Sequence, residues 1–173
     1  MQKFKKILSP ITYHLSPRLG FTLIELLVVI SIIGILASLA MVSYSGAQKQ
    51  TRDTQRRSDL AQYRNSLEAY AASNNGMYPS SGPSITINAA NLCSAAAFQP
   101  FISSCPRDPL ESASRWYGYR TNDTSPIGEP RATKYLLYVN GGLETGGTWV
   151  ICYDGKVGKT ENTWNAIMTF CPF

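Results

Sequence analysis

One carboxylate, Glu25, lies at the edge of the longest apolar segment of this 173-residue chain. From Leu26 to Gln48 the sequence contains no Asp, Glu, Lys or Arg. A carboxylate costs about 2.5 to 3.5 kcal/mol at the middle of a membrane and less near its surface, so its presence in such a segment indicates a function. The alternative is that Glu25 reaches the polar headgroups, and its position alone does not choose between the two.

Histidine chemistry is excluded from most of the chain, because the single histidine, His14, precedes the apolar segment. Ser-His-Asp and Cys-His arrangements need an imidazole base beside the nucleophile. The sequence also lacks the Gly-x-x-x-x-Gly-Lys loop that binds nucleotide phosphates. We therefore expect a protein that is not an enzyme, and a membrane-anchored enzyme is the weakest alternative.

Four cysteines are separated by 11, 46 and 18 residues: Cys93, Cys105, Cys152 and Cys171. No Cys-x-x-Cys pair occurs, which argues against a zinc knuckle and a thioredoxin-like redox motif. An even number of cysteines in an exported chain favours two disulfides, for which three connectivities are open. We prefer the pairs Cys93 with Cys105 and Cys152 with Cys171.

The apolar segment is long enough to cross a bilayer as a helix of about 20 residues. Four basic residues and no acid precede it: Lys3, Lys5, Lys6 and Arg18. This asymmetry places the amino terminus in the cytoplasm and predicts export of the remainder. The alternative is a secretory signal peptide cleaved after Ala40 or Ala47, although the apolar part of a signal peptide has typically about 7 to 15 residues.

The residues at this junction resemble a known family. Gly20-Phe21-Thr22-Leu23-Ile24-Glu25 and the apolar run after it are similar to the processing site and first helix of type IV pilins and type II secretion pseudopilins. The resemblance covers residues 18 to about 46, and it departs from many relatives at Val42, where they carry proline. It implies a leader, residues 1–20, that a prepilin peptidase/methyltransferase removes after Gly20. It also implies N-methylation of Phe21 and a role for Glu25 in assembly.

Cleavage after Gly20 would create an ammonium group four residues from Glu25. The ammonium of an incoming subunit could neutralise the Glu25 of a subunit that is already in the filament. Charge pairing is strong at low dielectric, but desolvation offsets much of the gain. We therefore expect this pair to set the register between subunits.

The helix is expected to continue beyond the membrane segment, residues 21–48, into an outer half at residues 49–75. Apolar residues there recur on one helical face: Leu60, Tyr63, Leu67 and Tyr70. Asn74-Asn75-Gly76 supplies a stop signal. Asp53 with Arg57 and Arg64 with Glu68 are spaced as ion pairs on the solvent side.

Basic residues cluster on this outer half: Lys49, Arg52, Arg56, Arg57 and Arg64. Nearby acids dilute them, so a solvated helix face or contacts between subunits is preferred to DNA or anionic lipid. The formal net charge of +5 comes mostly from the leader, which holds four of the 16 basic residues and no acid, and we interpret it as a signal for orientation in the membrane. DNA binding is therefore an alternative that the charge does not support.

Residues 76–173 are expected to form a globular head. Residues 76–114 are predicted as a loop region with one short helix, and residues 155–173 as a disulfide-tied tail. Aromatic and β-branched residues predict strands at 115–121, 134–140 and 148–154. Their aromatic side chains are interpreted as core, with stacking platforms for bases as the alternative. The fold class is α+β, with an antiparallel sheet at about 115–154 packed on the outer half of the helix.

The resemblance also bears on cofactors. Acids in the head loops are candidates for a calcium site like that of pseudopilins: Asp108, Glu111, Asp123 and Glu129. They lack the spacing of an EF-hand, so we expect no cofactor and keep calcium as the alternative.

The expected function is that of a structural subunit of a type IV pilus or pilus-like filament. Its partners would be identical or related subunits, the cytoplasmic membrane before assembly, the prepilin peptidase, and an assembly ATPase with its platform protein. The filament would be extracellular or periplasmic. The alternatives are a secretion pseudopilin and a minor pilin for DNA uptake or adhesion.

Overall fold

The computed structural model describes residues 20–84 and 86–172. The chain divides into two compact units, Met1–Val42 and Ser43–Phe173. One long helix, α1 (Leu23–Ser73), begins in the first unit and ends in the second. Short strands and a second helix follow it, so the fold is α+β with antiparallel sheets, as predicted. Apart from Gly20, the predicted leader lies outside the described residues.

The part of α1 in the first unit exposes its apolar side chains on all sides. From Leu23 to Met41 every described residue is exposed. An 18-residue window of α1 has a mean hydropathy of 2.7, and none of it is buried. Among the described residues, α1 is the one helix long and apolar enough to cross a membrane.

The part of α1 in the second unit buries the predicted face. Leu60, Tyr63, Leu67 and Tyr70 are at most 1% exposed, which confirms that prediction. The helix ends at Ser73, where the Gly76 N–H donates to the carbonyl of Ala71 at 2.8 Å. Gly76 has φ +77°, a conformation that glycine adopts at little cost, so the predicted stop signal acts as a C-cap.

A five-stranded antiparallel sheet forms the head. Its order is β2-β3-β5-β6-β7, with strands β2 (Thr86–Asn88), β3 (Trp116–Thr121), β5 (Tyr135–Asn140), β6 (Thr148–Cys152) and β7 (Val157–Thr160). A separate pair joins β1 (Tyr78–Pro79) and β4 (Pro130–Ala132). The three predicted strands correspond to β3, β5 and β6, each one or two residues shorter than expected.

The two faces of the sheet pack on different helices. On the inner face, Tyr117, Leu137 and Ile151 join the buried face of α1 in one apolar cluster. On the outer face, Leu136 and Val150 pack with the second helix, α2 (Trp164–Phe170), in another. Strand alternation explains this division, because successive side chains point to opposite faces.

The loop region also contains two short 3-10 helices, Ala89–Ser94 and Gln99–Phe101, in the segment expected to hold one short helix. Asn88 caps the first by accepting the Ala90 N–H at 3.0 Å. Disulfides join Cys93 to Cys105 and Cys152 to Cys171, the pairing that the sequence favoured.

One prediction for the outer half of α1 is wrong. Asp53 and Arg57 were expected to pair on a solvated face, but Asp53 is 1% exposed and pairs with Arg56. Arg57 instead stacks on Trp149, with its guanidinium carbon 4.8 Å from a ring centroid. The reason is tertiary, because segments around residues 108 and 144 cover this part of the helix.

Candidate processing and assembly site

The predicted cleavage position lies immediately before α1. Gly20 and Phe21 precede the first helical residue, Leu23, and both are exposed, Phe21 to 86%. A Cβ at Gly20 would meet no atom within 4 Å. The peptide bond between Gly20 and Phe21 is therefore open to an approaching enzyme in the described structure.

Thr22 and Glu25 form a reciprocal hydrogen-bonded cap at the start of α1. The Glu25 Oε2 atom accepts from the Thr22 backbone N–H at 2.9 Å and from the Thr22 hydroxyl at 2.8 Å. The Glu25 backbone N–H donates to the Thr22 Oγ1 atom at 3.3 Å. This arrangement is a capping box, in which two side chains satisfy backbone donors that the first helical turn leaves open.

The cap fixes the position of the Glu25 side chain. Its carboxylate is hydrogen-bonded to Thr22, the residue that follows Phe21, and therefore lies next to the exposed end of α1. Sequence reasoning treats Glu25 as a partner for another subunit and misses this bond within the chain. The Thr-x-x-Glu spacing is the signal that could have revealed it.

Hydroxyl groups within the apolar segment are satisfied by the helix itself. Ser31 donates to the carbonyl of Leu27 at 2.7 Å, and Ser38 donates to that of Ile35 at 2.7 Å. In a lipid environment an unpaired hydroxyl is costly, so these internal bonds suit a helix that enters a membrane. Gly34 lies in the same exposed stretch, and small residues such as glycine let membrane helices approach one another closely.

The head holds a buried ion cluster that the sequence did not indicate. The guanidinium of Arg56 is fully buried and donates to Asp108 at 2.7 and 3.0 Å, to Asp53 at 2.7 Å and to Glu144 at 3.1 Å. Arg52 adds a bidentate contact to Glu144 at 2.6 and 2.5 Å. The cluster connects α1 to the loop that contains Asp108 and to the turn between β5 and β6.

The carboxylate of Asp53 also organises that turn. It accepts the backbone N–H groups of Glu144 at 2.9 Å and of Thr145 at 2.8 Å. Burial raises the pKa of Asp53, but these hydrogen bonds and the one from Arg56 outweigh burial, so its pKa lies below the ordinary value. Hydrogen bonds from Arg52 lower the pKa of Glu144 to about 2. Both groups therefore carry their charge at neutral pH.

Three of the four calcium candidates have other partners in the structure. Both carboxylate oxygens of Asp108 accept from Arg56, and Glu111 pairs with Arg107 at 3.1 Å. Asp123 accepts the N–H of Ser125 at 2.9 Å. Within residues 20–84 and 86–172, no three His, Cys, Asp or Glu side chains are grouped as ligands of a metal ion.

Comparison with known proteins identifies the amino-terminal motif. Residues 15–41 match the family model described as the prokaryotic N-terminal methylation motif, which is the leader signature of type IV pilins and pseudopilins. No curated protein and no solved structure matches the chain. The match contains Gly20, Phe21 and Glu25, whose roles stay predictions, and it does not extend into the head.

Proposed function

We propose that this chain is a structural subunit of a type IV pilus or a pilus-like filament. The observation that carries the proposal is the methylation motif at residues 15–41, at the start of a helix with exposed apolar side chains. Such a motif is the signature of substrates of a prepilin peptidase. In this proposal the subunit is not an enzyme and needs no cofactor.

Processing would come first. The peptidase hydrolyses the bond between Gly20 and Phe21, and the new α-amino group of Phe21 is methylated. The exposure of both residues and the position of α1 directly after them support this step. The basic leader would keep the amino terminus in the cytoplasm until then.

Assembly follows from the exposed apolar surface of α1. Side chains from Leu23 to Met41 are roughly half or more exposed, an arrangement that is unfavourable in water. Lipid would cover this surface before assembly, and the helices of neighbouring subunits would cover it in the filament. An assembly ATPase and a platform protein would supply the work of extraction, because the chain has no phosphate-binding loop of its own.

Glu25 would set the register in the filament. The capping box holds its carboxylate beside the amino-terminal end of α1, where the ammonium of an adjacent subunit could reach it. Pairing of the two charges in an apolar bundle offsets part of the cost of burying them, whereas either charge buried alone would be strongly unfavourable. The alternative within the same proposal is a secretion pseudopilin, whose leader carries the same signature; a retraction ATPase or a secretion channel among neighbouring genes would distinguish the two.

The deciding experiment is mass spectrometry of surface filaments sheared from cells. We expect a peptide that begins at methylated Phe21, and a matched Glu25→Ala strain that processes the subunit but fails to assemble it at the normal rate. A peptide that begins at Met41 or Gln48 would instead show a cleaved signal peptide and refute the proposal. Normal assembly of processed Glu25→Ala subunits would refute the role of Glu25.

A further inference from the structure

The outer face of the sheet is covered over only part of its width. The helix α2 packs there through Ile167, and Phe170 lies against Gly158 of β7. The first residue of α2, Trp164, extends instead toward β3 and β5, where it contacts Tyr138 and Arg120. Trp164 is 42% exposed, so its indole contributes less to the core than its size allows.

Three aromatic rings form a row on this part of the face. Trp116 and Tyr138 have ring centroids 6.3 Å apart, and Tyr138 and Trp164 have centroids 5.7 Å apart in an edge-to-face arrangement. Tyr138 is buried at the centre of the row, while Trp116 is half-buried. The guanidinium of Arg120 lies 4.9 Å from a ring centroid of Trp164. We call these four residues the aromatic row.

A glycine fixes the shape of the aromatic row. Gly118 is paired with Tyr138 across β3 and β5, and a Cβ at Gly118 would overlap the Tyr138 ring. The ring therefore lies directly against the backbone of β3, as a glycine in a strand interior permits. The Tyr138 ring therefore gives each indole a fixed surface to pack against, which lowers the entropy cost of ordering the indoles when a ligand binds.

Charge decides which class of partner fits. The outward positions of β2, β3 and β5 are Thr86, Asn88, Trp116, Gly118, Arg120, Leu136, Tyr138 and Asn140, and one of these eight is charged. Nucleic acid binding needs several cations to neutralise phosphates in addition to stacking rings. An uncharged ligand with flat apolar faces and hydroxyl groups matches indoles flanked by a guanidinium and side-chain amides.

We propose that the aromatic row is a binding surface for a neutral polysaccharide. The C–H faces of pyranose rings lie against the exposed parts of Trp116 and Trp164, and Arg120 donates hydrogen bonds to ring hydroxyl oxygens. Tyr138 acts as a positioning residue between the two indoles. Binding at this surface is a property of the head and does not depend on filament assembly.

The test uses the full chain, purified in a detergent without a sugar headgroup. Retention on cellulose, chitin and cross-linked dextran is measured beside binding of a fluorescent oligo-dT strand, each across a salt series. We expect retention on at least one polysaccharide that survives high salt. It should fall at least tenfold in Trp164→Ala and Trp116→Ala and be largely kept in Trp164→Phe. The matched control is Trp149→Ala, which removes an indole from the opposite face of the sheet and should bind as the parent does.

A second measurement keeps the proposal testable if a variant folds poorly. Soluble oligosaccharides of the retained polysaccharide should protect the tryptophan fluorescence of the unmodified chain from acrylamide quenching. Absence of retention on all three polysaccharides would overturn the proposal, and so would equal retention by well-folded variants. Salt-sensitive binding of oligo-dT without polysaccharide retention would also overturn it and would identify a nucleic acid surface.

Discussion

Arg56 and Asp108 lie 52 residues apart in sequence and form a fully buried bidentate ion pair, with the guanidinium Nε and Nη2 atoms 2.7 and 3.0 Å from the two carboxylate oxygens. The pair joins the middle of α1 to the loop before β3. Replacing a whole buried pair by apolar residues is often neutral, whereas removing one partner leaves an uncompensated charge. The contact therefore acts mainly by specifying how that loop packs on α1.

Removal of the guanidinium alone should be strongly destabilising. In Arg56→Met, three carboxylates would lose their shared cation, and the free energy of unfolding should fall by about 3 to 5 kcal/mol. The measurement is urea unfolding of the full chain in mild detergent, followed by near-ultraviolet circular dichroism of the head.

The matched control is Arg107→Ala, which breaks the Arg107–Glu111 pair, whose arginine side chain is 66% exposed. Exposed ion pairs contribute about 0 to 1 kcal/mol, so the free energy of unfolding of this variant should be close to that of the parent. Equal losses in the two arginine variants would contradict a special role for the buried cluster. A double variant, Arg56→Met with Asp108→Leu, should recover part of the loss.

Acid should destabilise the head through Glu144. Its pKa is lowered from an ordinary value of 4.5 to about 2, chiefly by hydrogen bonds from Arg52. A carboxylate with a lowered pKa stabilises the fold above its unfolded value, and this stabilisation is lost as the pH falls through the folded value. The stabilisation should therefore be lost between about pH 4.5 and 2. The Glu144→Gln variant should have a lower free energy of unfolding at pH 7, and that free energy should change less than the parent's between about pH 4.5 and 2.

Asp59 should have the opposite effect on stability in acid, because its protonation should stabilise the folded head. Burial raises its pKa above the ordinary value, although a hydrogen bond from the Tyr117 hydroxyl at 2.6 Å lowers it in part. The folded state then binds its proton before the unfolded state does, so protonation stabilises the fold as the pH falls. In Asp59→Asn the loss of stability in acid should be steeper than in the parent. A shallower loss, measured by thermal unfolding at each pH, would contradict a raised pKa for Asp59.

The elements that the sequence predicted well share one property, a dense apolar pattern. The buried face of α1 repeats at helical spacing, and β3, β5 and β6 are rich in aromatic and β-branched residues. The missed strands are short edge or paired segments, such as β2 with the residues Thr-Ile-Asn and β7 with Val-Gly-Lys-Thr. Such segments become strands because a neighbouring strand is already in place, which no local pattern records.

Among the functional residues, too, those in a local sequence motif could be predicted, and those brought together by the tertiary fold could not. Gly20, Phe21 and Glu25 were predicted from a contiguous motif, which comparison also recognises. The ion cluster of Arg56 could not be predicted, because two of its three acids, Asp108 and Glu144, come from distant loops whose positions depend on the complete fold. On α1 alone, Asp53 and Arg56 resemble the charges of any solvated helix.

The capping box makes a separate prediction for the start of α1. Thr22→Ala removes the hydroxyl that accepts from the Glu25 N–H and donates to its carboxylate, and loss of an N-cap costs about 0.5 to 2 kcal/mol. Amide hydrogen exchange in detergent should therefore be faster at the first turn, through Leu26, and unchanged beyond it. Thr22→Ser is the matched control because it retains the hydroxyl. Equal exchange in the two variants would show that the box does not stabilise the helix end.

The disulfide between Cys152 and Cys171 should hold α2 on the sheet. Within the described residues, α2 fully buries one side chain, Ile167, while Trp164 and Phe170 add partly exposed contacts, so we expect the disulfide to be the main constraint against its release. Replacing both cysteines by serine should cost about 2 to 4 kcal/mol and open α2 to proteolysis while β3 and β5 stay protected.

The matched control for that experiment is the double replacement of Cys93 and Cys105. Leu92 and Phe98 lie in or beside the segment enclosed by this second disulfide, and both are fully buried, so packing should keep the segment attached when the bond is removed. Limited proteolysis followed by mass spectrometry should therefore cut near α2 in the first variant and leave α2 intact in the control. Cleavage at the same sites in both variants would show that α2 depends on the whole head and not on its own disulfide.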